Sequence, residues 1–452
     1  MVGMHHFGLE GNSMTASTTS AFCTDVRDRA LCEILNEELV CALGCTEPIA
    51  VAYAAALARM TLGTEPEALE VGCSGNIIKN VKSVTVPNSD GMHGIEAAAT
   101  LGAVGGNPDS ALEVLESVEP EDNAHARELL GRAGYCSVEL VEGVPNLYIK
   151  VRALAAGHVA EVVIAEHHTN VVYRALDDEA LEGSRDNDPA SIEQQENPAY
   201  AYLTIDAIVG FAESGDIEAA RAALERQIEL NDAISREGLQ NTWGAEVGRT
   251  LMETRGEGVA CRARARAAAG SDARMSGCSM PVVINCGSGN QGITCCLPVV
   301  AYAEELGADH EKLVRALALS DLVAAHVKGY IGALSAFCGV VCAACGAGAA
   351  ITWMRGGTRE QIDETIVNTL GNVGGIVCDG AKPSCAAKIS AAVDAAILAS
   401  DMALAGRGFQ AGEGLVKETV EKTIASMGYV GRVGMKPTDV EILNIMIGKT
   451  RV

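Results

Sequence analysis

The C-terminal half of the chain is dense in thiols. Cys286, Cys295, Cys296, Cys338, Cys342, Cys345, Cys378 and Cys385 fall within it, and Cys286, Cys338 and Cys345 stand beside glycine. Thiolates converging from glycine-bearing segments can hold an iron–sulfur cluster, because glycine lets backbone come close. Cysteine is also a small apolar residue that is often fully buried, so plain packing is the competing reading.

One subset, Cys338-x3-Cys342-x2-Cys345, has the spacing seen in radical S-adenosylmethionine enzymes. Those enzymes place it in a loop near the start of a partial α/β barrel. Here it lies in an Ala-rich, helix-forming run, and no strand–helix alternation follows. Packing on one helix face explains Cys342 and Cys345 better.

A second feature is a near-repeat, Ser74-Gly75-Asn76 and Ser288-Gly289-Asn290, with Cys73 and Cys286 just upstream. Backbone amides of such turns, with an Asn amide, form a small cradle for an anion such as a carboxylate. Two ordinary turns are the plain alternative. The string also resembles the carboxylate loop of pyridoxal-phosphate dehydratases of the threonine deaminase type. Those enzymes need a Schiff-base lysine upstream, yet there is no lysine before Lys79 and none between Lys150 and Lys312. Pyridoxal phosphate is therefore not expected.

Lys79 and Lys82 flank Asn80 and can either hold a carboxylate or sit solvated on alternate strand positions. Gly44-Cys45-Thr46-Glu47-Pro48 joins a thiol, a carboxylate and a helix-starting proline. A cysteine at a helix N-terminus has a lowered pKa, so Cys45 can serve as thiolate ligand or base. With Cys41 one turn earlier, a buried patch is equally consistent. Among the histidines, His5 and His6 read as tail and His167-His168 as a strand end. His93 and His326 lie near Gly-rich or Cys-rich segments.

These residues need elements to position them. Thr24–Leu62 reads as helix that restarts at Pro48, and residues 70–88 read as strand around a Gly-rich turn. Helix follows from Gly94 to about Gly134. Period-two apolar residues at Ser137–Val141, Leu147–Val151 and Val159–Ala165 predict an antiparallel meander. From Tyr200 the pattern is helical, broken by glycine clusters at 286–292, 346–348 and 371–380. The expected organisation is a disordered tail over 1–23, an α+β part with antiparallel strands over 24–180, an acidic linker or excursion over 181–199, and an all-helical part over 200–452.

Composition bounds the function. The 452 residues carry 34 Lys plus Arg against 59 Asp plus Glu, a formal charge of −25. That field repels nucleic-acid backbones and anionic lipid surfaces. Aromatics are only 4% while Gly reaches 49, which predicts helices crossing closely through small residues. Sixteen cysteines are too sparse for a disulfide scaffold, and no secretory signal is visible, so a cytoplasmic protein with reduced thiols is expected. The uncharged stretches 275–303 and 329–354 have spanning length, but their polar, Gly and Ala content fits a buried helical core.

Five segments in order form a familiar set: Leu43-Gly44-Cys45-Thr46-Glu47-Pro48-Ile49-Ala50, Ser74-Gly75-Asn76-Ile77-Ile78-Lys79-Asn80, Cys286-Gly287-Ser288-Gly289-Asn290-Gln291-Gly292-Ile293, Ser335-Ala336-Phe337-Cys338-Gly339 and Cys378-Asp379-Gly380-Ala381-Lys382-Pro383-Ser384-Cys385. Together they resemble the L-cysteine desulfidase family (UPF0597, serine dehydratase α-chain-like) across residues 25–445.

The resemblance implies a [4Fe–4S] lyase without pyridoxal phosphate, its cluster in the helical C-terminal domain. Cys338, Cys378 and Cys385 match cluster-ligand positions of the related serine dehydratases. The spacing Cys378-x6-Cys385 is shorter than in those enzymes. Cys342 and Cys345 match no ligand position. Cys45 matches the N-terminal motif cysteine, as resting ligand of the open iron or as base, with Glu47 beside it.

The implied reaction is β-elimination from L-cysteine to pyruvate, ammonia and sulfide. The substrate carboxylate would rest on the Ser74–Asn76 and Ser288–Asn290 turns, helped by Lys79. L-Serine is the alternative substrate, and a non-catalytic cluster-bearing redox sensor the alternative class. The implied partners are a small amino acid and a second copy in a homodimer.

Overall fold

A computed structural model describes residues 16–183, 197–332 and 334–450. Most of the expected tail (1–15), with His5 and His6, and most of the expected linker (184–196) lie outside the described residues. Helix α1 (Ala16–Glu38) is followed by strand β1 (Cys41–Leu43) and helix α2 (Thr46–Leu62). The helix expected over Thr24–Leu62 is thus split by a strand. β1 pairs antiparallel with residues 281–283, a partner so distant in sequence that no local pattern announces it.

Strand β2 (Ala68–Cys73) runs directly into helix α3 (Gly75–Val81). The strand expected to continue to Asn88 stops because Ser74 caps the helix, its side chain accepting from the Ile77 amide at 3.4 Å. Lys79 is therefore helical and Lys82 caps the end of that helix, so neither sits on alternate strand positions. Helices α4 (Gly94–Gly105) and α5 (Pro120–Leu130) follow, then β3 (Cys136–Leu140), β4 (Tyr148–Ala155), β5 (His158–Ala165), β6 (Val171–Leu176) and β7 (Glu179–Gly183).

The sheet order is β3-β2-β4-β5-β6-β7. Strands β4 and β5 pair antiparallel as expected, β6 and β7 extend that meander beyond the expected strands, and β3 does not join it directly. β2 inserts between β3 and β4, parallel to the first and antiparallel to the second. Helices α2 and α4 pack closely on one another, and α2 lies against the sheet. A Cβ at Gly102 of α4 would strike the Ala52 backbone of α2, so only glycine permits that crossing.

The remaining chain is helical: α6 (Ile205–Ser214), α7 (Arg221–Gln240), α8 (Val247–Arg255), α9 (Val259–Met275), the three-residue strand β8 (Pro281–Val283), α10 (Gly289–Leu306), α11 (His310–Ile331), α12 (Val340–Met354), α13 (Arg359–Val373), α14 (Cys385–Leu404), α15 (Val420–Tyr429) and α16 (Lys436–Met446). β8 is the exception to an all-helical part. The glycines at 346–348 do not break the pattern; they lie inside α12. A Cβ at Gly346 would strike the Ser320 carbonyl of α11, as expected for helices meeting through small residues.

One contiguous cluster of buried side chains runs from Ala30 to Met427, across both parts of the chain. No helix among the described residues is long and apolar enough to cross a membrane.

Candidate functional site

A cavity of about 840 Å³ opens where the two parts meet. Its walls come from the end of α1, the start of α2, the β5–β6 turn, the end of α9, the start of α10, the end of α11, and the loops before α12 and α14.

Two loops bring thiols together. Phe337 and Val377 form an isolated antiparallel bridge. The Cys338 amide donates to Ile376 O (3.0 Å), and the Cys378 amide donates to Ala336 O (2.7 Å). This zip sets Cys338 and Cys378 close enough for each thiol to perturb the other's ionisation. The neighbouring thiol, with Lys79 and Lys388 adding to the effect, holds Cys378 below the ordinary thiol value, while the same pairing and burial raise Cys338.

Cys385, the first residue of α14, lines the same cavity, its thiol 3.8 Å from Gly380 O and raised by burial. Lys388 donates to Val377 O (2.8 Å) and pairs with Asp379. Cys342 and Cys345 lie on α12 within the apolar core, fully buried. No cluster of three or more His, Cys, Asp or Glu side chains poised around a single ion occurs among the described residues.

Cys45 precedes α2 and reaches the cavity with Glu47. Its thiol donates to Glu47 Oε2 at 3.1 Å, and Thr46 Oγ1 donates to the same oxygen at 3.1 Å. Asn80 of α3 donates to Glu47 Oε1 at 2.9 Å. The helix N-terminus does not lower Cys45 as expected. Burial and the adjacent Glu47 charge push it well above the ordinary thiol value, so it is protonated. Burial opposes ionisation of Glu47, but His168, the Cys45 thiol and Arg274 outweigh it and hold the carboxyl below its ordinary value.

The two Ser-Gly-Asn strings part company here. Ser288 and Asn290 line the cavity; Ser74, Asn76 and Lys79 do not. Lys79 is 2% exposed and ion-paired with Asp439 Oδ1 at 2.5 Å. Its helix still reaches the site through Asn80 and through its backbone at Gly380. His326 lines the cavity and meets Glu421 at 2.6 Å, whereas His93 is exposed and bonds Gly91 O at 2.7 Å.

Several cavity residues escaped the sequence reading. Arg274, at the end of α9, is 2% exposed and donates to Asn290 Oδ1 at 3.2 Å. His168, read as a strand end, sits in the β5–β6 turn with its Nε2 buried and unpartnered. Burial pushes that imidazole below its ordinary value, against the pull of Glu47. Tyr200, also lining the cavity, donates to Glu38 Oε1 at 2.6 Å. A buried arginine within an Ala-rich helix was the one legible signal, since burial of that charge demands a partner.

A family model described as "Serine dehydratase alpha chain" matches residues 109–444. The chain is 48% identical to a UPF0597 protein of Lachnoclostridium phytofermentans, covering 93% of this chain and 99% of that one. It is 49% identical to a UPF0597 protein of Finegoldia magna over 92% of this chain and 99% of that one. A UPF0597 protein of Treponema denticola is 43% identical, over 92% and 97%.

Proposed function

Because the chain belongs to the serine dehydratase alpha chain family, alongside UPF0597 proteins, we propose that it is a lyase performing β-elimination on L-cysteine, giving pyruvate, ammonia and sulfide. The observation that carries this reading is one cavity lined by Cys45, Cys338, Cys378 and Cys385 together with Glu47, His168 and Asn290.

The donor set suits a [4Fe–4S] cluster. Three thiols approach from two zipped loops and a helix start, and two lysines offset the charge that thiolates bring. A cubane distributes its thiolates over separate irons, so no single-ion arrangement is required. Cys338, Cys378 and Cys385 would hold it, with Cys45 a candidate for the remaining iron. When bound, the cluster supplies a Lewis-acidic iron for the substrate's leaving group.

The remaining chemistry falls to the chain. The Cα proton is weakly acidic and needs a positioned base. His168 takes that role: its ring is kept neutral by burial, and Nε2 is free of protein partners. The ionised Glu47 steadies the imidazolium that forms. Electrons of the Cα–H bond become the Cα=Cβ bond as the Cβ–S bond breaks and hydrosulfide leaves. The aminoacrylate then tautomerises and hydrolyses to pyruvate and ammonia.

L-Serine is the second reading, favoured by the description of the matched family. It loses hydroxide through the same steps. Anaerobic reconstitution with iron and sulfide, followed by pyruvate and sulfide assays on both amino acids, tests the proposal. Cluster-dependent sulfide from L-cysteine, without added pyridoxal phosphate, is the expected result. Pyruvate from L-serine alone would change the substrate. A Cys338→Ala protein that kept cluster absorbance and turnover would remove the assignment at its main residue.

A further inference from the structure

Resting on that elimination reading, we propose that Arg274 is the anchor for the substrate's α-carboxylate, acting with the first turn of α10. Arg274 is a nearly fully buried guanidinium in the cavity wall. Of its five donors, one is used by another side chain, the 3.2 Å bond from Nη1 to Asn290 Oδ1. Its Nε is buried and unpartnered. Among the described residues, no carboxylate lies within the 4.0 Å of an ion pair. Glu47 acts on it from farther away and is already occupied by Cys45, Thr46 and Asn80.

Its position makes the missing anion more conspicuous. α10 spans 18 residues, its first turn has no acidic residue, and Ser288 makes no side-chain cap. A helix N-terminus carries partial positive charge and favours an anion, so a bare cation beside it is the unfavourable arrangement. An anion shared by the amides and the guanidinium satisfies both. Gly289 is what lets them approach, since a Cβ there would press on Arg274 Nε and stand 2.7 Å from Cζ. The planar fork suits a planar carboxylate. The nearby Glu47 charge disfavours a doubly charged phosphate.

The test measures binding apart from turnover. L-Alanine has the carboxylate and ammonium but no leaving group, and L-alaninamide lacks the carboxylate charge. Calorimetry on the anaerobically reconstituted full-length protein should show L-alanine binding roughly tenfold or more tighter than L-alaninamide. Arg274→Gln should remove that preference, Arg274→Lys should retain part of it, and Gly289→Ala should weaken L-alanine while keeping the fold by circular dichroism.

The anchor is overturned if wild-type protein fails to bind L-alanine or binds both ligands alike. Undiminished L-alanine binding by Arg274→Gln would also overturn it. Should Arg274→Gln not fold, the wild-type preference and Gly289→Ala still decide. Wild-type protein that makes no pyruvate from either amino acid, yet shows the Arg274-dependent preference, would leave the anchor standing and remove the elimination reading.

Discussion

Ser74-Gly75-Asn76 and Ser288-Gly289-Asn290 are the same three residues in the same local structure. Each places Ser before a helix, with Gly and Asn as the first two helical residues. Their surroundings differ. Ser74 donates to Asn146 O at 2.6 Å and caps α3, whose exposed side is covered by α16 through Lys79–Asp439 and through Leu443 over Gly75. Ser288 caps nothing with its side chain, and Asn290 meets a buried arginine at the cavity. One helix start is capped by its own serine and covered by α16, and the other is uncapped and open to the cavity. That availability, not the string, marks a binding turn.

The sharpest way to break this contrast is to remove both asparagines in turn. Asn290→Ala should lower kcat/KM for L-cysteine by roughly tenfold to a hundredfold, since it frees Arg274 from the one side-chain partner it has among the described residues. Asn76→Ala should change it by less than about twofold. Equal losses in anaerobic assays would put both turns at the substrate.

The α10 turn also stands on a titrating group. Asp321 accepts from Asn285 (2.7 Å) and Gln227 (3.0 Å), and burial pushes it up to about 7. An unfolded Asp titrates near about 3.9. The folded state therefore holds this proton more tightly. The stability it contributes is complete below about pH 4, declines as pH rises, and is gone above about pH 7, a loss on the order of 4 kcal/mol. Asp321→Asn should remove that decline in urea unfolding between pH 5 and 7.5. Parallel pH dependence in both proteins would refute the assignment.

On the α3 side, Lys79→Met should cost about 2 kcal/mol by stranding Asp439, with KM for L-cysteine unchanged. A raised KM would return Lys79 to the site. The smallest contrast concerns the caps themselves. Ser74→Ala should cost about 1 kcal/mol and Ser288→Ala less than about 0.5 kcal/mol in the same unfolding assay.

Much of the architecture was legible because its causes are local. The β4–β5 hairpin followed from alternation, and the helical C-terminal region from glycine-punctuated apolar runs. The strand β1 was not, because three residues carry no period and their partner lies at 281–283. The insertion of β2 beside β3 was missed for the same reason. Within the site, Cys338, Cys378 and Cys385 were singled out through family motifs, and the structure places all three on one cavity. His168 escaped because a strand-end histidine has no sequence signal for an unpartnered nitrogen.

From the sequence alone came the helix restart near Pro48 and the helix from Gly94, the small-residue helix crossings and the set of candidate thiols. These depend on residue types and short spacings. Only the tertiary structure decided that Cys45 is a thiol bonded to Glu47, that Lys79 is taken by Asp439, and that Arg274 faces the cavity with donors to spare. Charge state and availability depend on which distant residues share a buried space, and that sharing exists only once the chain has folded.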